Sequence, residues 1–163
     1  MLGPSFRAAV VALVALVAFV PASALGLGCS SQAPPPRFAY FDVGTDHPRS
    51  DDDQVQIGRA VGTLDEDHHL KAAIIGYASS EGSEADNKKL SFKRAERIRD
   101  LIVRGGIATD RLTIAARGAM DPAASNATED GRAKNRRVEV FFYDPNKGDL
   151  QAQYGVKIEI QAH

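Results

Sequence analysis

The middle of the chain alternates between strand-like and helix-like patterns of apolar residues. Phe38 to Val43 is rich in aromatic residues and predicts a strand that ends at Gly44. Asp51 to Leu64 carries apolar residues near a helical spacing, and its first turn holds three aspartates, where the helix dipole favours negative charge. Leu70 to Tyr77 predicts a short buried strand. This region is therefore expected to run strand, helix, strand.

The next segment has the clearest helical pattern. Ser83 to Asp86 can form a capping box, and Gly105 with Gly106 can end the helix in a left-handed cap. The apolar stripe between them consists of Leu90, Ala95, Ile98, Leu101 and Ile102. Two more strands are predicted after this helix, at Arg111–Ala116 and Arg136–Tyr143.

Together these elements predict an α+β fold of βαβαββ type. Such an order gives a two-layer sandwich in which the helices pack on one face of a mixed sheet. The folded domain is expected to span residues 37–143. The C-terminal extension, residues 144–163, contains one more alternation that predicts an extra edge strand, formed by Val156, Ile158 and Ile160.

The N-terminus has a pattern of its own. Arg7 precedes an unbroken apolar run from Ala8 to Val20. A run of this length suits the hydrophobic region of a secretory signal and is too short to cross a bilayer. Residues 1–28 are therefore predicted to be a signal peptide. Residues 29–36, rich in Ser and Pro, are predicted to be a semi-rigid linker.

Two processing sites compete at the end of the signal. Ala22-Ser23-Ala24 fits the small-x-small rule for ordinary cleavage, which would release a chain starting at Leu25. The segment ending at Cys29 instead resembles a bacterial lipobox, in which the cysteine is acylated and becomes the new N-terminus. Gly26 stands where a lipobox usually has Leu. We favour lipidation of Cys29, since the only cysteine of the chain lies between the apolar run and the linker.

Composition narrows the function classes. The chain has 20 Lys and Arg against 21 Asp and Glu, a net charge of −1 that gives no support to nucleic-acid binding. One cysteine excludes an internal disulfide framework and a cysteine-cluster metal site. The acidic, histidine-containing segment Asp65 to His69 falls at a predicted turn, where such residues are usually solvated. We therefore predict no metal and no cofactor.

Two sequence motifs then indicate a family. The first contains Gly76, Gly82 and Asn87 and continues through Leu90-Ser91, Arg94-Ala95 and Gly105-Gly106-Ile107. The second reads Asn-x-Thr-x-x-Gly-Arg-x-x-Asn-Arg-Arg-Val and runs from Asn126 to Val138. In this order the motifs resemble the OmpA C-terminal-like domain, the peptidoglycan-associated module shared by OmpA, the Pal lipoproteins and MotB.

The resemblance implies a ligand and a site. In this family the domain binds the diaminopimelate of the peptidoglycan stem peptide. An aspartate at the end of a strand binds the ammonium of the ligand, and an arginine on a helix binds a carboxylate. Arg94 stands at the arginine position, and Asn87 lies two turns away on the same helix face. Of the paired arginines, we expect Arg137 to support the pocket and Arg136 to be structural.

The aspartate position holds a serine, Ser79, which supplies no charge. Three outcomes stay open: Glu81 or Asp42 replaces the missing carboxylate, the ligand binds weakly, or the domain has become a protein-docking scaffold. Loss of a charged partner costs about tenfold to a hundredfold in affinity.

The resemblance also implies a location and a class of activity. We expect a lipid-anchored protein of the outer membrane, with its domain in the periplasm and peptidoglycan and other envelope proteins as partners. No Gly-x-Ser-x-Gly elbow surrounds Ser79 or Ser80, so we predict no catalytic residues and no enzyme activity.

Overall fold

The computed structural model describes residues 33–155. Its helices and strands follow in the order β1 (Arg37–Tyr40), α1 (Asp51–Glu66), β2 (Lys71–Gly76), α2 (Glu84–Arg104), β3 (Leu112–Ala116), α3 (Glu129–Asn135), β4 (Arg137–Tyr143) and α4 (Leu150–Tyr154). Short 3₁₀ turns lie at Thr109–Arg111 and Pro145–Lys147. Cys29 and the strand predicted at residues 156–160 lie outside the described residues, and no helix within them is both long and apolar enough to cross a membrane.

The four strands form one mixed sheet in the order β1-β4-β2-β3. β4 runs antiparallel to both β1 and β2, whereas β2 and β3 are parallel and are joined through α2. Ile74 marks the centre of the sheet, because it pairs with Val140 on one side and Ile114 on the other. The predicted α+β sandwich with a mixed sheet is therefore confirmed.

The main core lies between the sheet and the two long helices. α1 and α2 cover one face, where Phe41, Leu64, Ile74, Ile98 and Phe142 are almost fully buried. Alternate residues along β4 face this layer, as the pleat of a strand requires.

The opposite face of the sheet is covered in part by the C-terminal extension. Leu150 of α4 packs with Ile75 and Phe141, and the ring of Tyr154 meets that of Phe141 edge-on at 5.2 Å. The Tyr154 hydroxyl also donates a 2.6 Å hydrogen bond to the carbonyl of Pro34 in the linker. The two predicted helices, α1 and α2, therefore share one face of the sheet, and the short helix α4 packs on the other.

Local capping fixes where the helices begin. α1 starts with a capping box between Ser50 and Asp53, and the Asp53 carboxylate also accepts a 3.0 Å hydrogen bond from the backbone N–H of Tyr40. This ties the end of β1 to the first turn of α1. α2 begins at Ser83, whose hydroxyl accepts from the backbone N–H of Asp86.

A close approach between α2 and β2 sets the position of the long helix. A Cβ atom at Gly76 would overlap the carbonyl oxygen of Ser91, so only glycine allows this contact. The Ser91 hydroxyl also accepts a 3.0 Å hydrogen bond from the N–H of Gly118. Arg94, one turn further along α2, is thereby held near the carboxyl end of β2.

Candidate functional site

A cleft of about 250 Å³ opens beside the carboxyl end of β2. Its walls come from the β1–α1 loop, the β2–α2 loop, the first turns of α2 and the residue that precedes β4. Both signs of charge line it. Its polar residues are Ser79, Glu81, Asp86, Asn87, Arg94 and Arg136.

Arg94 is the most deeply buried of these residues, with 0% of its surface exposed. Its Nε donates to the carbonyl of Thr45 at 2.8 Å, Nη2 to that of Asp42 at 2.9 Å and Nη1 to that of Tyr77 at 3.2 Å. A guanidinium has five N–H groups, so these bonds leave some donor capacity at the cleft wall. Burial, together with nearby Arg136, lowers the pKa of Arg94 to about 10, and the side chain is still a cation at neutral pH.

The burial of Arg94 distinguishes it from an exposed helix arginine. An arginine facing solvent on a helix could be truncated with little cost to the fold. Arg94 instead joins the β1–α1 loop to the end of β2 through carbonyl groups, and its guanidinium lies 5.1 Å from the centre of the Phe41 ring. It is therefore a structural residue as well as a wall of the cleft.

Ser79 and Glu81 lie together at the mouth of the cleft. The Ser79 hydroxyl is buried and donates a 3.0 Å hydrogen bond to Oε2 of Glu81. Asp42, the other carboxylate considered as a substitute for the missing aspartate, contacts Arg94 through its backbone carbonyl. Glu81 is thus the carboxylate that the structure brings next to Ser79 and into the cleft lining.

Two arginines of the second motif, Arg132 and Arg136, lie within ion-pair distance of Glu81. Nε of Arg132 lies 3.4 Å from Oε1 of Glu81, and Nη1 of Arg136 lies 3.7 Å from Oε2. Both arginines make shorter contacts with Glu129, at 2.9 Å and 2.6 Å respectively. Hydrogen bonds from Arg136 and Arg132 hold the pKa of the Glu129 carboxyl below its usual range.

Of the paired arginines, the cleft lining includes Arg136 and not Arg137. Arg136 lines the cleft, whereas Arg137 stacks on the Tyr77 ring at 3.8 Å and pairs with Glu139 at 2.7 Å. Tyr77 belongs to the layer beneath α4, on the face of the sheet opposite α1 and α2. Neighbouring residues at a strand point to opposite faces, so only one of the two arginines can reach the cleft.

Asn87 lines the cleft as expected and is 7% exposed. Its backbone N–H donates to the carbonyl of Ser83 within the first turn of α2. Its side-chain amide makes no hydrogen bond to another residue among those that the structure describes. The amide is therefore available to a bound molecule.

The other asparagines of the second motif hold loops. Asn135 is fully buried and clamps the backbone of Ala124 through both its amide oxygen and its amide nitrogen, at 2.9 and 2.8 Å. It also donates to Asn126, whose amide oxygen accepts from the N–H of Ser80 at 3.2 Å. This chain of bonds fixes the β2–α2 loop on which Ser79 and Glu81 lie.

Comparison with known proteins identifies the family of this chain. The pattern of the OmpA family matches residues 40–136, which include α1, α2 and every residue lining the cleft. The chain belongs to the OmpA family. It is 47% identical over 66 residues to outer membrane porin F of Pseudomonas fluorescens, a match that covers 40% of this chain and 20% of the porin. It is 46% identical over 70 residues to the peptidoglycan-binding protein ArfA of Mycobacterium tuberculosis, covering 43% of this chain and 22% of ArfA.

A solved structure shows the same OmpA-family fold. The peptidoglycan-associated lipoprotein of Burkholderia pseudomallei superposes with a TM-score of 0.62 at 24% sequence identity. The superposition covers 66% of this chain and 90% of the lipoprotein chain. The curated relatives are much longer than the matched region, since this chain spans only about a fifth of porin F and ArfA.

Proposed function

We propose that this OmpA-family domain binds peptidoglycan without catalysis and recognises the diaminopimelate of the stem peptide. The observation that carries the proposal is the cleft, whose lining brings Arg94 and Arg136 together with the carboxylate of Glu81. Two relatives support it by name, one a peptidoglycan-binding protein and one a peptidoglycan-associated lipoprotein.

The chemistry of the cleft suits a small molecule that carries both charges. Diaminopimelate within a stem peptide has a free ammonium and at least one free carboxylate. Arginine binds carboxylates with charge-assisted hydrogen bonds, and a carboxylate does the same for an ammonium. The Asn87 amide can accept or donate one further bond. Because these side chains come from α2, from the end of α3 and from a loop fixed by hydrogen bonds, they need little further ordering when a ligand binds.

Binding rather than catalysis also fits the surroundings of Ser79. A serine nucleophile needs an adjacent base that takes its proton, most often a histidine. The cleft lining, which lies entirely within residues 33–155, includes no histidine. The Ser79 hydroxyl donates to a carboxylate that already has two arginines beside it.

The tethering role rests on the N-terminus. A lipid on Cys29 would fix the chain to the outer membrane, and the linker would join this anchor to the domain. The domain would then lie in the periplasm, at the wall. Tethering raises the effective concentration of the domain near peptidoglycan, so even a modest intrinsic affinity suffices.

One observation favours a second candidate, a protein-docking scaffold that no longer binds peptidoglycan. Ser79 supplies no charge, and three N–H groups of Arg94 are already bonded to backbone carbonyls. A scaffold would keep the fold, and its binding to other proteins would not change when side chains in the cleft are replaced.

Co-sedimentation of the full chain with purified sacculi separates the two functions. Asn87→Leu keeps the size of the side chain and removes its amide, whereas Lys88→Leu changes an exposed neighbour on the same helix. Wall binding through the cleft predicts that the first variant loses about tenfold in affinity and the second stays close to wild type. A wild-type chain that remains in the supernatant would favour the scaffold.

A further inference from the structure

The end of the linker lies against α4. Ala33, Pro34 and Pro36 are half-buried, although a Pro-rich tether that served only as a spacer would stay in water. The Tyr154 hydroxyl donates its 2.6 Å hydrogen bond to the carbonyl of Pro34, and its ring contacts Phe141 edge-on. Burial raises the pKa of the Tyr154 hydroxyl, which therefore stays protonated and remains a donor at neutral pH. This bond joins two residues 120 positions apart in sequence.

Side-chain contacts hold α4 in place. Nε2 of Gln153 donates to the carbonyls of Asp144 and Gly148 at 2.8 and 2.7 Å, and its Oε1 accepts from the N–H of Asp144 at 3.3 Å. Gly148 has a φ of 111°, a conformation that favours glycine, and Leu150 is buried in the layer beneath the helix. A helix of five residues is not stable by itself, so these contacts fix the position of Tyr154.

The contact with the linker lies at the end of the domain away from the cleft. β1 and β2 run in the same direction, since each is antiparallel to β4, and the cleft opens beyond their carboxyl ends. Pro34 precedes the amino end of β1 and comes seven residues before Phe41, whose carbonyl accepts from Arg136 in the cleft lining. Extended chain rises about 3.3 Å per residue, which places Pro34 and Phe41 roughly 20 Å apart. The chain toward Cys29 therefore leaves the domain far from the cleft.

We propose that α4 is a clasp: it fixes the linker at Pro34, so that an anchor at Cys29 holds the domain by the end opposite to the cleft and turns the cleft toward the wall. With the clasp closed, four residues, 30–33, lie between Cys29 and the fixed Pro34. Without it, seven residues, 30–36, lie between Cys29 and β1. A shorter free tether samples fewer orientations, so the cleft is kept away from the membrane surface. This inference rests on the proposed function, in which Cys29 carries the lipid and the cleft binds peptidoglycan.

Backbone amide relaxation, measured by NMR on the lipidated full chain in detergent micelles, tests the clasp. Tyr154→Ala removes the ring and the hydroxyl, whereas Tyr154→Phe removes the hydroxyl alone. Tyr143→Phe is the matched control, because Tyr143 packs on the same layer and its hydroxyl makes no hydrogen bond within residues 33–155. The main core lies on the other face of the sheet, so these variants do not put the fold at risk.

The Ala33 amide should have an order parameter of about 0.85, the value of rigid backbone, in wild type and in Tyr143→Phe. It should fall in Tyr154→Phe and drop below about 0.6, the range of flexible chain, in Tyr154→Ala. If Ala33 is as rigid in Tyr154→Ala as in wild type, α4 does not hold the linker and the inference is wrong.

Insertion into a membrane tests the orientation. The lipidated chain is placed in lipid nanodiscs whose headgroups carry a nitroxide, which broadens the signals of nearby amides. In wild type, the amide of Lys71 at the start of β2 should be broadened more than that of Gly82 in the cleft lining, and in Tyr154→Ala the difference should shrink. Equal broadening of both amides in wild type, or a wild type that does not associate with the nanodisc, overturns the inference.

Co-sedimentation with sacculi in detergent separates the clasp from the proposed function. Tyr154→Ala leaves the cleft intact, so its affinity should equal that of wild type. A wild type that does not bind sacculi would refute wall binding, and with it the role of the clasp in presenting the cleft to the wall. The Ala33 order parameter would still report whether α4 holds the linker, so the two failures are distinguishable.

Discussion

Replacement of Arg94 should destabilise the fold, and the structure allows the size of the effect to be worked out. Arg94→Ala removes three hydrogen bonds from a charged donor to the carbonyls of Asp42, Thr45 and Tyr77. Each such bond contributes about 1.5–3 kcal/mol. Part of this gain is offset in the native protein, because burying the guanidinium is costly, as its pKa of about 10 reflects. We expect a net loss of about 2–4 kcal/mol in the free energy of unfolding.

Chemical denaturation of the full chain, followed by circular dichroism, measures this loss. Arg99→Ala is the control, since Arg99 lies on the same helix and pairs with the exposed carboxylate of Asp100. Exposed ion pairs contribute about 0–1 kcal/mol, so this variant should stay close to wild type. Arg94→Lys should recover only part of the loss, because a single ammonium cannot reproduce the guanidinium's three bonds to carbonyls on two separate segments. Equal stability of Arg94→Ala and wild type would refute the structural role of Arg94.

Three further predictions concern the N-terminus, the cleft and the Glu129 ion pairs behind it. Cys29→Ser should abolish both palmitate incorporation and partition into the detergent phase; labelling of the serine variant, or release of a chain starting at Leu25, would contradict lipidation. Ser79→Asp should not raise affinity for the stem peptide in a titration, because its carboxylate would lie beside that of Glu81 and be repelled by it; a tenfold gain would show that the site lacks an anion. The Glu129 carboxyl has a lowered pKa in the fold, so its stabilisation is complete above its ordinary pKa and is lost as pH falls through the lower folded value. Melting temperatures of wild type should therefore fall more steeply on acidification than those of Glu129→Gln, and parallel curves would contradict this.

The elements with strong local signals could be predicted from the sequence. α2 was expected from its N-terminal cap, apolar stripe and terminal glycines, and it runs from Glu84 to Arg104. β1 is shorter than predicted and ends at Tyr40. Beyond it the chain turns away so that the carbonyls of Asp42 and Thr45 can reach Arg94. That contact spans about fifty residues of sequence, and no local pattern encodes it.

Short elements without an apolar stripe were missed. α3 lies inside the second motif, where only Thr128, which accepts from the N–H of Gly131, marks its start. α4 has a clear cap at Asp149, but the covering of the second sheet face by Leu150 and Tyr154 depends on tertiary packing. For this reason neither α3 nor α4 was predicted from the sequence, and the covering of part of the second face of the sheet by a helix was not predicted either.

The cleft was predicted in part. Ser79, Asn87 and Arg94 line it as expected, and the choice of Glu81 over Asp42 needed coordinates because both are close to the strand end in sequence. The position of Arg137 outside the cleft could have been predicted from the sequence. Val138, Val140 and Phe142 face the main core, so strand alternation places Arg137 on the opposite side.

Recognition of diaminopimelate by the cleft is tested most directly by comparing the binding of the chain to two kinds of cell wall. Diaminopimelate differs from lysine by one additional carboxylate, the group assigned to the arginines of the cleft. We predict that the full chain binds sacculi with diaminopimelate stem peptides at least about tenfold more tightly than sacculi with lysine stem peptides. Asn87→Leu should weaken the first interaction and leave the second unchanged. Equal binding of wild type to both walls would contradict the account.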